Sequence, residues 1–352
     1  MRGNTLLRLA AVSFAAVASL AAAAPTPAAQ QNYTVTPLVS NGYLPGTIVD
    51  PNLVNAWGLT ASAASPFWVA DNGTGKSTLY NGNTGAPQAL VVSVDTSPTG
   101  AVFNGTTGFV VPGTTARAVF IFDTETGQLL GWNPAFGTTA QVAKTQAGAI
   151  YKGLAIGTTG AGAPRLYAAN FHAATVDVFD GSWTLVTEPG AFVDPSLPDG
   201  YAPFGIQNIG GRIFVTYAKQ DAAAEDEVAG QGRGFVDEYD TDGHLLQRVA
   251  QHGQLNAPWG IALAPASFGE FGGDLLVGNF GDGQINAYEP QPDGSFERVG
   301  GLRDDSGRQI AIDGLWALQF GNDGNAGPKK TLFFTAGPND ENDGLFGAIT
   351  AG

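Results

Sequence analysis

Between Ala257 and Pro290 the apolar positions fall into short runs separated by polar turns. Trp259, Ile261 and Leu263 alternate with smaller residues, the period of two that places one face of a strand in a core. Past a Pro/Gly turn, Leu275-Leu276-Val277 ends at the polar Asn279. Gly281-Asp282-Gly283 then leads into Ile285 to Tyr288, and Phe296 to Val299 make a fourth short run. The pattern predicts a four-stranded antiparallel meander. It recurs along the chain. The glycines that open each first strand are Gly58, Gly100, Gly153, Gly205, Gly260 and Gly314, at steps of 42, 53, 52, 55 and 54 residues. Repeats of this length with a fixed internal pattern signal propeller blades. The chain is therefore predicted to be all-β: one six-bladed β-propeller with four-stranded antiparallel blades, occupying residues 30–352. The last repeat stops after its third run, while Tyr33 to Val39 reads as a strand with no blade of its own. Pairing that segment outside residues 344–349 would complete the last blade and remove two open sheet edges.

The strings NAWGL, FWVADNGTG, YAPFGIQNIGG, NAPWGIALAP, LLVGNFGDG and FFTAGPNDE resemble NHL-type six-bladed propellers. In particular they resemble a family of exported bacterial proteins of unestablished activity. More distantly, the chain is similar to gluconolactonase/SMP-30-type propellers. The resemblance runs from Pro37 to Ile349. It implies the six-bladed fold and a secreted location, and it hands over no catalytic residue.

Composition adds to this. Fifty glycines and 21 prolines suit many short strands and tight turns, and 43% hydrophobic residues suffice for a large core. Arg2 and Arg8 precede an uncharged apolar run from Leu9 to Ala24, followed by small residues and prolines. This reads as a cleaved signal peptide over residues 1–29, with a secreted or periplasmic product and no membrane span after its removal. Losing the two arginines would take the formal charge from −15 to −17. No Lys/Arg cluster interrupts that acidity, so nucleic acid is not an expected partner. The expected state is a monomer. With no cysteine in the chain, disulfides, thiol chemistry and thiolate metal sites are excluded.

In such a blade, the loop entering strand one and the loop between strands two and three open on the same face of the ring. Polar residues on those loops converge at one mouth of the channel. The first ring is the residue before each opening glycine: Trp57, Thr99, Lys152, Phe204, Trp259 and Asp313. Gluconolactonase-type propellers hold a calcium ion with oxygen ligands at several of these positions, and here Asp313 alone matches. Trp57, Phe204 and Trp259, with Lys152 opposite Asp313, would suit a pocket that stacks on a planar or sugar-like ligand. They equally suit a plugged channel in which Lys152 and Asp313 neutralise each other.

The second ring lies at the ends of the second strands. Asp71, Asn72, Asn170, Asn279 and Asn339 are its candidate metal ligands, and Ca²⁺ is the cofactor they would suit. Ordinary strand-end turn chemistry is the alternative. Asp123, Glu125 and Glu341 stand at the same level. His172 and Lys219 are the candidate acid/base residues. The long acidic loop from Gln220 to Gly234 carries Asp221, Glu225, Asp226 and Glu227 on the mouth side, where it reads as a lid or a solvated excursion.

Three functional readings follow. The favoured one is binding of a small molecule, glycan or protein at the channel mouth, for which an open funnel would speak. A cation-dependent hydrolase or lyase would place a cation beside His172. A structural envelope or matrix protein would have a channel plugged by tryptophan.

Overall fold

The computed structural model describes Met1 and residues 32–352; the signal peptide expected over residues 1–29 thus lies, Met1 apart, outside the described residues. Among the described residues no helix is long and apolar enough to cross a membrane. Blade 1 is built from Ala56–Thr60, Phe67–Asp71, Lys76–Tyr80 and Val92–Ser93. Blade 2 uses Pro98–Phe103, Phe120–Thr124, Gln128–Trp132 and Gln141–Thr145, and blade 3 uses Tyr151–Thr158, Pro164–Asn170, Thr175–Asp180 and Leu185–Val186. In blade 4 the strands are Tyr201–Ile209, Arg212–Lys219, Phe235–Tyr239 and Leu245–Gln251; in blade 5, Pro258–Leu263, Leu275–Asn279, Ile285–Pro290 and Phe296–Gly301. Blade 6 has Leu315–Phe320, Leu332–Ala336 and Leu345–Ala351, with Tyr33–Ser40 as its outer strand. This is the six-bladed propeller that the apolar pattern predicts.

The N-terminal strand closes the ring as expected. It pairs antiparallel with Leu345–Ala351, from Tyr33 opposite Ala351 to Ser40 opposite Leu345, and a short parallel strand, Ile48–Val49, lies outside it. Tyr33 is buried and anchors the strand, because its hydroxyl donates to Phe268 O and accepts from Phe271 N, each at 3.1 Å.

Every inner strand carries the same defect, a β-bulge in which two residues face one on the second strand. The bulged pairs are Trp57-Gly58, Thr99-Gly100, Lys152-Gly153, Phe204-Gly205 and Trp259-Gly260 in blades 1 to 5. In blade 6 the register skips between Leu315 and Leu318, so the sixth pair is Trp316-Ala317. Here the structure corrects the sequence reading: Gly314 does not open the last inner strand, and Asp313 does not belong to the first ring. The bulges let neighbouring inner strands approach closely. A Cβ at Gly205 would stand 2.1 Å from the Trp259 carbonyl oxygen, and one at Gly260 would stand 2.4 Å from that of Trp316.

The residue facing each bulge decides how its free amide is satisfied. Asp123, Thr216 and Thr335 face the bulges of blades 2, 4 and 6, and accept from Gly100 N (2.5 Å), Gly205 N (2.8 Å) and Ala317 N (3.1 Å). The small Ala70, Ala169 and Gly278 stand at the same position in blades 1, 3 and 5. Apolar clusters between neighbouring blades supply the core, with side chains of two sheets interdigitating at each interface.

Candidate functional site

The bulges direct the first-ring side chains to the axis, where the aromatic ones pack on each other. Trp57 stacks on Trp316 with ring centroids 3.5 Å apart, and Phe204 and Trp259 meet both edge-on at 5.8 to 6.4 Å. Phe280 stacks on the other side of Trp316 at 4.1 Å, and Phe171 lies 5.5 Å from Phe204. Trp57, Phe204, Trp259 and Trp316 are all buried. The expected funnel lined by Trp57, Phe204 and Trp259 is therefore absent, and a plug of mutually packed rings replaces it. A narrow cavity of about 30 Å³, lined mainly by bulge glycines and aliphatic residues, lies against the plug.

On the mouth side of this plug runs a chain of polar groups drawn from five of the blades. Glu341, in the second-to-third-strand loop of blade 6, accepts from Asn55 Nδ2 at 2.5 Å. Asn55 Oδ1 accepts from the Trp316 indole nitrogen at 3.0 Å, tying the chain to the plug. Asn55 also donates to Asn72 Oδ1 at 3.3 Å, and Asn72 Nδ2 donates to Glu125 at 3.0 Å. The other oxygen of Glu125 holds Lys152 Nζ at 2.5 Å, and Asp226 takes the same ammonium at 3.0 Å. The lysine lies over the face of Trp57 at 5.3 Å, and its carbonyl accepts from Trp259 Nε1 at 2.7 Å. Burial alone would lower the pKa of this ammonium, but Glu125 and then Asp226 outweigh it, so the group is held charged.

The loop from Gln220 to Gly234 covers this arrangement. Gln220 Nε2 donates to Phe171 O at 2.6 Å, Asp221 N to Asp226 O at 2.8 Å, and Gly230 N to Asn256 Oδ1 at 2.6 Å. These bonds bring Asp226 over Lys152 and half-bury Glu227. Burial, reinforced by Glu341 and Asp226 against the pull of Lys152, pushes Glu227 up to about 7. Glu341 is also raised, chiefly by burial. Its turn is strained, since Asn339, Asp340 and Glu341 are consecutive left-handed residues at φ 56°, 53° and 64°. Four carboxylates, Glu125, Asp226, Glu227 and Glu341, thus surround one ammonium.

The remaining predicted residues lie elsewhere. Asp313 is exposed and accepts from Asn339 N at 2.9 Å; Lys152 is neutralised by Glu125 and Asp226, not by Asp313. Of the five candidate metal ligands, only Asn72 joins the central chain. Asp71 accepts from Thr78 N, Asn170 bonds Asp177 and Ala173 N, Asn279 bonds Gln254 O, Asp282 and Asn256 N, and Asn339 bonds Asp343. Strand-end turn chemistry uses the three asparagines, while Asp71 is fully buried and its Oδ1 has no partner among the described residues. Among the described residues no group of three or more His, Asp or Glu is arranged to hold a metal ion. The exposed His172 places Nδ1 3.1 Å from the Ala224 carbonyl of the long loop, and Lys219 lies 5.8 Å from the Tyr201 ring centre. Neither has a bond to the central carboxylates.

Asn55 and Trp316 were missed by the sequence reading. Trp316 stands in the same apolar alternation as Trp57 and Trp259, and aligning the repeats on the aromatic residue instead of the glycine reveals it.

No protein-family model matches the chain. It is 33% identical over 333 residues to the Uncharacterized protein R648 of Acanthamoeba polyphaga mimivirus, across 89% of this chain and 78% of that one. To the Uncharacterized protein L690 of the same virus it is 31% identical over 341 residues, across 90% and 85%. Among solved structures, the PQQ-bound aldose sugar dehydrogenase of Streptomyces coelicolor is similar at a TM-score of 0.52 and 13% identity, covering 93% of this chain and 100% of that one. Virginiamycin B lyase of Staphylococcus aureus is similar at 0.51 and 13%, covering 91% and 99%. At such identities the likeness is one of fold and carries no activity across.

Proposed function

The chain belongs to the family of the mimivirus proteins R648 and L690, and from that premise we propose that it is a ligand-binding propeller whose ligand presents a cationic group to the mouth beneath the 220–234 loop. The observation that carries this reading is the charge balance under the loop: four carboxylates stand, among the described residues, around one ammonium, Lys152, which bonds Glu125 and Asp226 and leaves Glu227 and Glu341 without a bonded cation. A second positive charge there would favour the ionised forms of Glu227 and Glu341, which burial, and to a lesser extent their neighbouring carboxylates, disfavours. The ligand would rest on the charged layer, because the aromatic rings leave no room between them.

Calorimetric titration with spermidine as the cationic probe tests the reading. Saturable binding is expected that strengthens as the pH rises through about 7, where Glu227 ionises, and weakens in a Glu227→Gln, Glu341→Gln variant. Binding of equal strength in the double variant, or none in the wild type, would overturn it.

The aromatic plug favours a second reading, a structural protein with no ligand at its axis. Under that reading spermidine gives no saturable signal, and removing residues 221–230 leaves the assembly partners of the protein unchanged.

A further inference from the structure

Blade 3 differs from its neighbours in how its third strand is covered. The third strands of blades 1, 2, 4, 5 and 6 are mostly buried, whereas only Phe179 is buried in Thr175–Asp180. The reason is the outer strand, which pairs only Val186 with Val178 and Leu185 with Phe179. Blade 1 has an equally short outer strand, but its third strand is covered by the segment that follows, where Pro87 bridges to Tyr80.

The register shows which main-chain groups this leaves open. In an antiparallel strand the N–H and C=O of one residue point to the same side and alternate along the chain. Asp180 N bonds Thr184 O on the outer side, so Asp180, Val178 and Val176 face outward while Thr175, Asp177 and Phe179 face the second strand. Val176 therefore presents an N–H and a C=O to the outer edge with no strand opposite them among the described residues. Beside it lies a cavity of about 240 Å³, walled by Val178, Val186, Phe192 and Val193, with Glu188 and Asp242 at its rim. Val193 is 54% exposed, and Phe192 is held in a left-handed conformation at φ 55°.

We propose that this edge is a docking site for an extended segment of another polypeptide, which pairs with Val176 and drops an aliphatic side chain into the cavity. Three separate features select that occupant. A paired N–H and C=O facing one way is the complement of an extended backbone and of few small molecules. The cavity has room for one or two aliphatic side chains, and Val178 and Val186 are only half-buried without one. Asp177, Glu188 and Asp242 outnumber the one cation of the lining, Arg165, and this acidic balance favours lysine or arginine on either side of the inserted residue.

The probe is a capped peptide of alternating threonine and valine flanked by lysines, labelled and titrated against the full chain by fluorescence anisotropy. Saturable binding is expected, and Val176→Pro weakens it at least about tenfold by removing the outward N–H. That substitution leaves the ladder to the second strand intact, so the thermal midpoint should fall only slightly, from the lost packing of the half-buried Val176 side chain. A peptide N-methylated at its central residues, tested on the unaltered protein, should lose affinity by a similar factor. Absence of binding to the wild type overturns the proposal. So does retention of affinity by the N-methylated peptide, or equally tight binding of N-acetylvaline amide, which would mark a small-molecule cleft.

Discussion

Lys152 and Asp226 meet at 3.0 Å, although the lysine side chain is 2% exposed and that of the aspartate 72%. The bond joins the inner strand of blade 3 to the solvent side of the 220–234 loop. Glu125, at 2.5 Å and 27% exposed, holds the same ammonium from within the mouth. The two carboxylates are therefore not equivalent. Water screens the Asp226 pair, and removing one partner of a buried pair leaves an uncompensated charge. Glu125→Gln is expected to cost about 3 kcal/mol in urea unfolding, and Asp226→Asn less than about 1 kcal/mol. Equal costs would mean that the loop carboxylate holds the lysine as firmly as the less exposed one.

The bulges make a graded prediction. Gly205→Ala places a methyl 2.1 Å from a backbone oxygen, and backbone cannot turn aside as a side chain can. It should destabilise by about 3 kcal/mol or more. Gly153→Ala meets the Phe204 carbonyl at 3.0 Å and needs only a small adjustment, of about 1 kcal/mol. Thermal unfolding of the two variants ranks them, and the reverse order would contradict the ring contacts.

The six blades were legible because each strand announces itself through an apolar run of period two bounded by Gly, Pro or Asn. The centre of the molecule was less legible. Aligning the last repeat on Gly314 displaced its ring residue by three positions and put the exposed Asp313 where Trp316 stands. Nor does alternation tell whether Trp57 and Trp259 line a space or fill one, because that depends on Trp316, which packs against both from another blade. Asn170 and Asn279 carry the right atoms for a metal at the right level, but local bonds to Asp177 and Asp282 occupy them. The acidic loop at 220–234 was visible by its length, while the lysine beneath it was paired on paper with the wrong carboxylate.

Asp123 links the bulges to pH. It is fully buried, and its Oδ2 has no partner while Oδ1 accepts from Thr99 and Gly100. Burial pushes it up to about 7, against those hydrogen bonds. Below about pH 4 the folded and unfolded chains both hold this proton. Between there and about 7 only the folded chain does, so stability falls as the pH rises through that window and then levels. Blades 4 and 6 use threonine at the same position, so Asp123→Thr keeps an acceptor for Gly100 N without the carboxyl. The variant should gain on the wild type as pH climbs from 4 to 7, by on the order of 3 kcal/mol. Asp237, also raised to about 7 by burial, should keep part of the slope in both proteins. Parallel pH profiles for the two would show that Asp123 is ionised in the folded state.

One hydroxyl ties the closing strand to blade 5. Tyr33 bonds Phe268 O and Phe271 N in the connection between the first two strands of blade 5, while its ring stacks on Phe271 at 5.9 Å and meets Phe268 at 5.0 Å. Tyr33→Phe keeps the rings together and leaves one buried carbonyl and one amide without that partner, at an expected cost of about 1–3 kcal/mol. Deleting residues 32–40 does more, because it also exposes the Leu345–Ala351 edge, whose free ladder groups invite pairing between molecules. The deletion should therefore lower Tm and make it depend on protein concentration, whereas Tyr33→Phe should lower it at every concentration alike. If the deletion left Tm where it was, the N-terminal strand would be a passenger on blade 6 and not its closure.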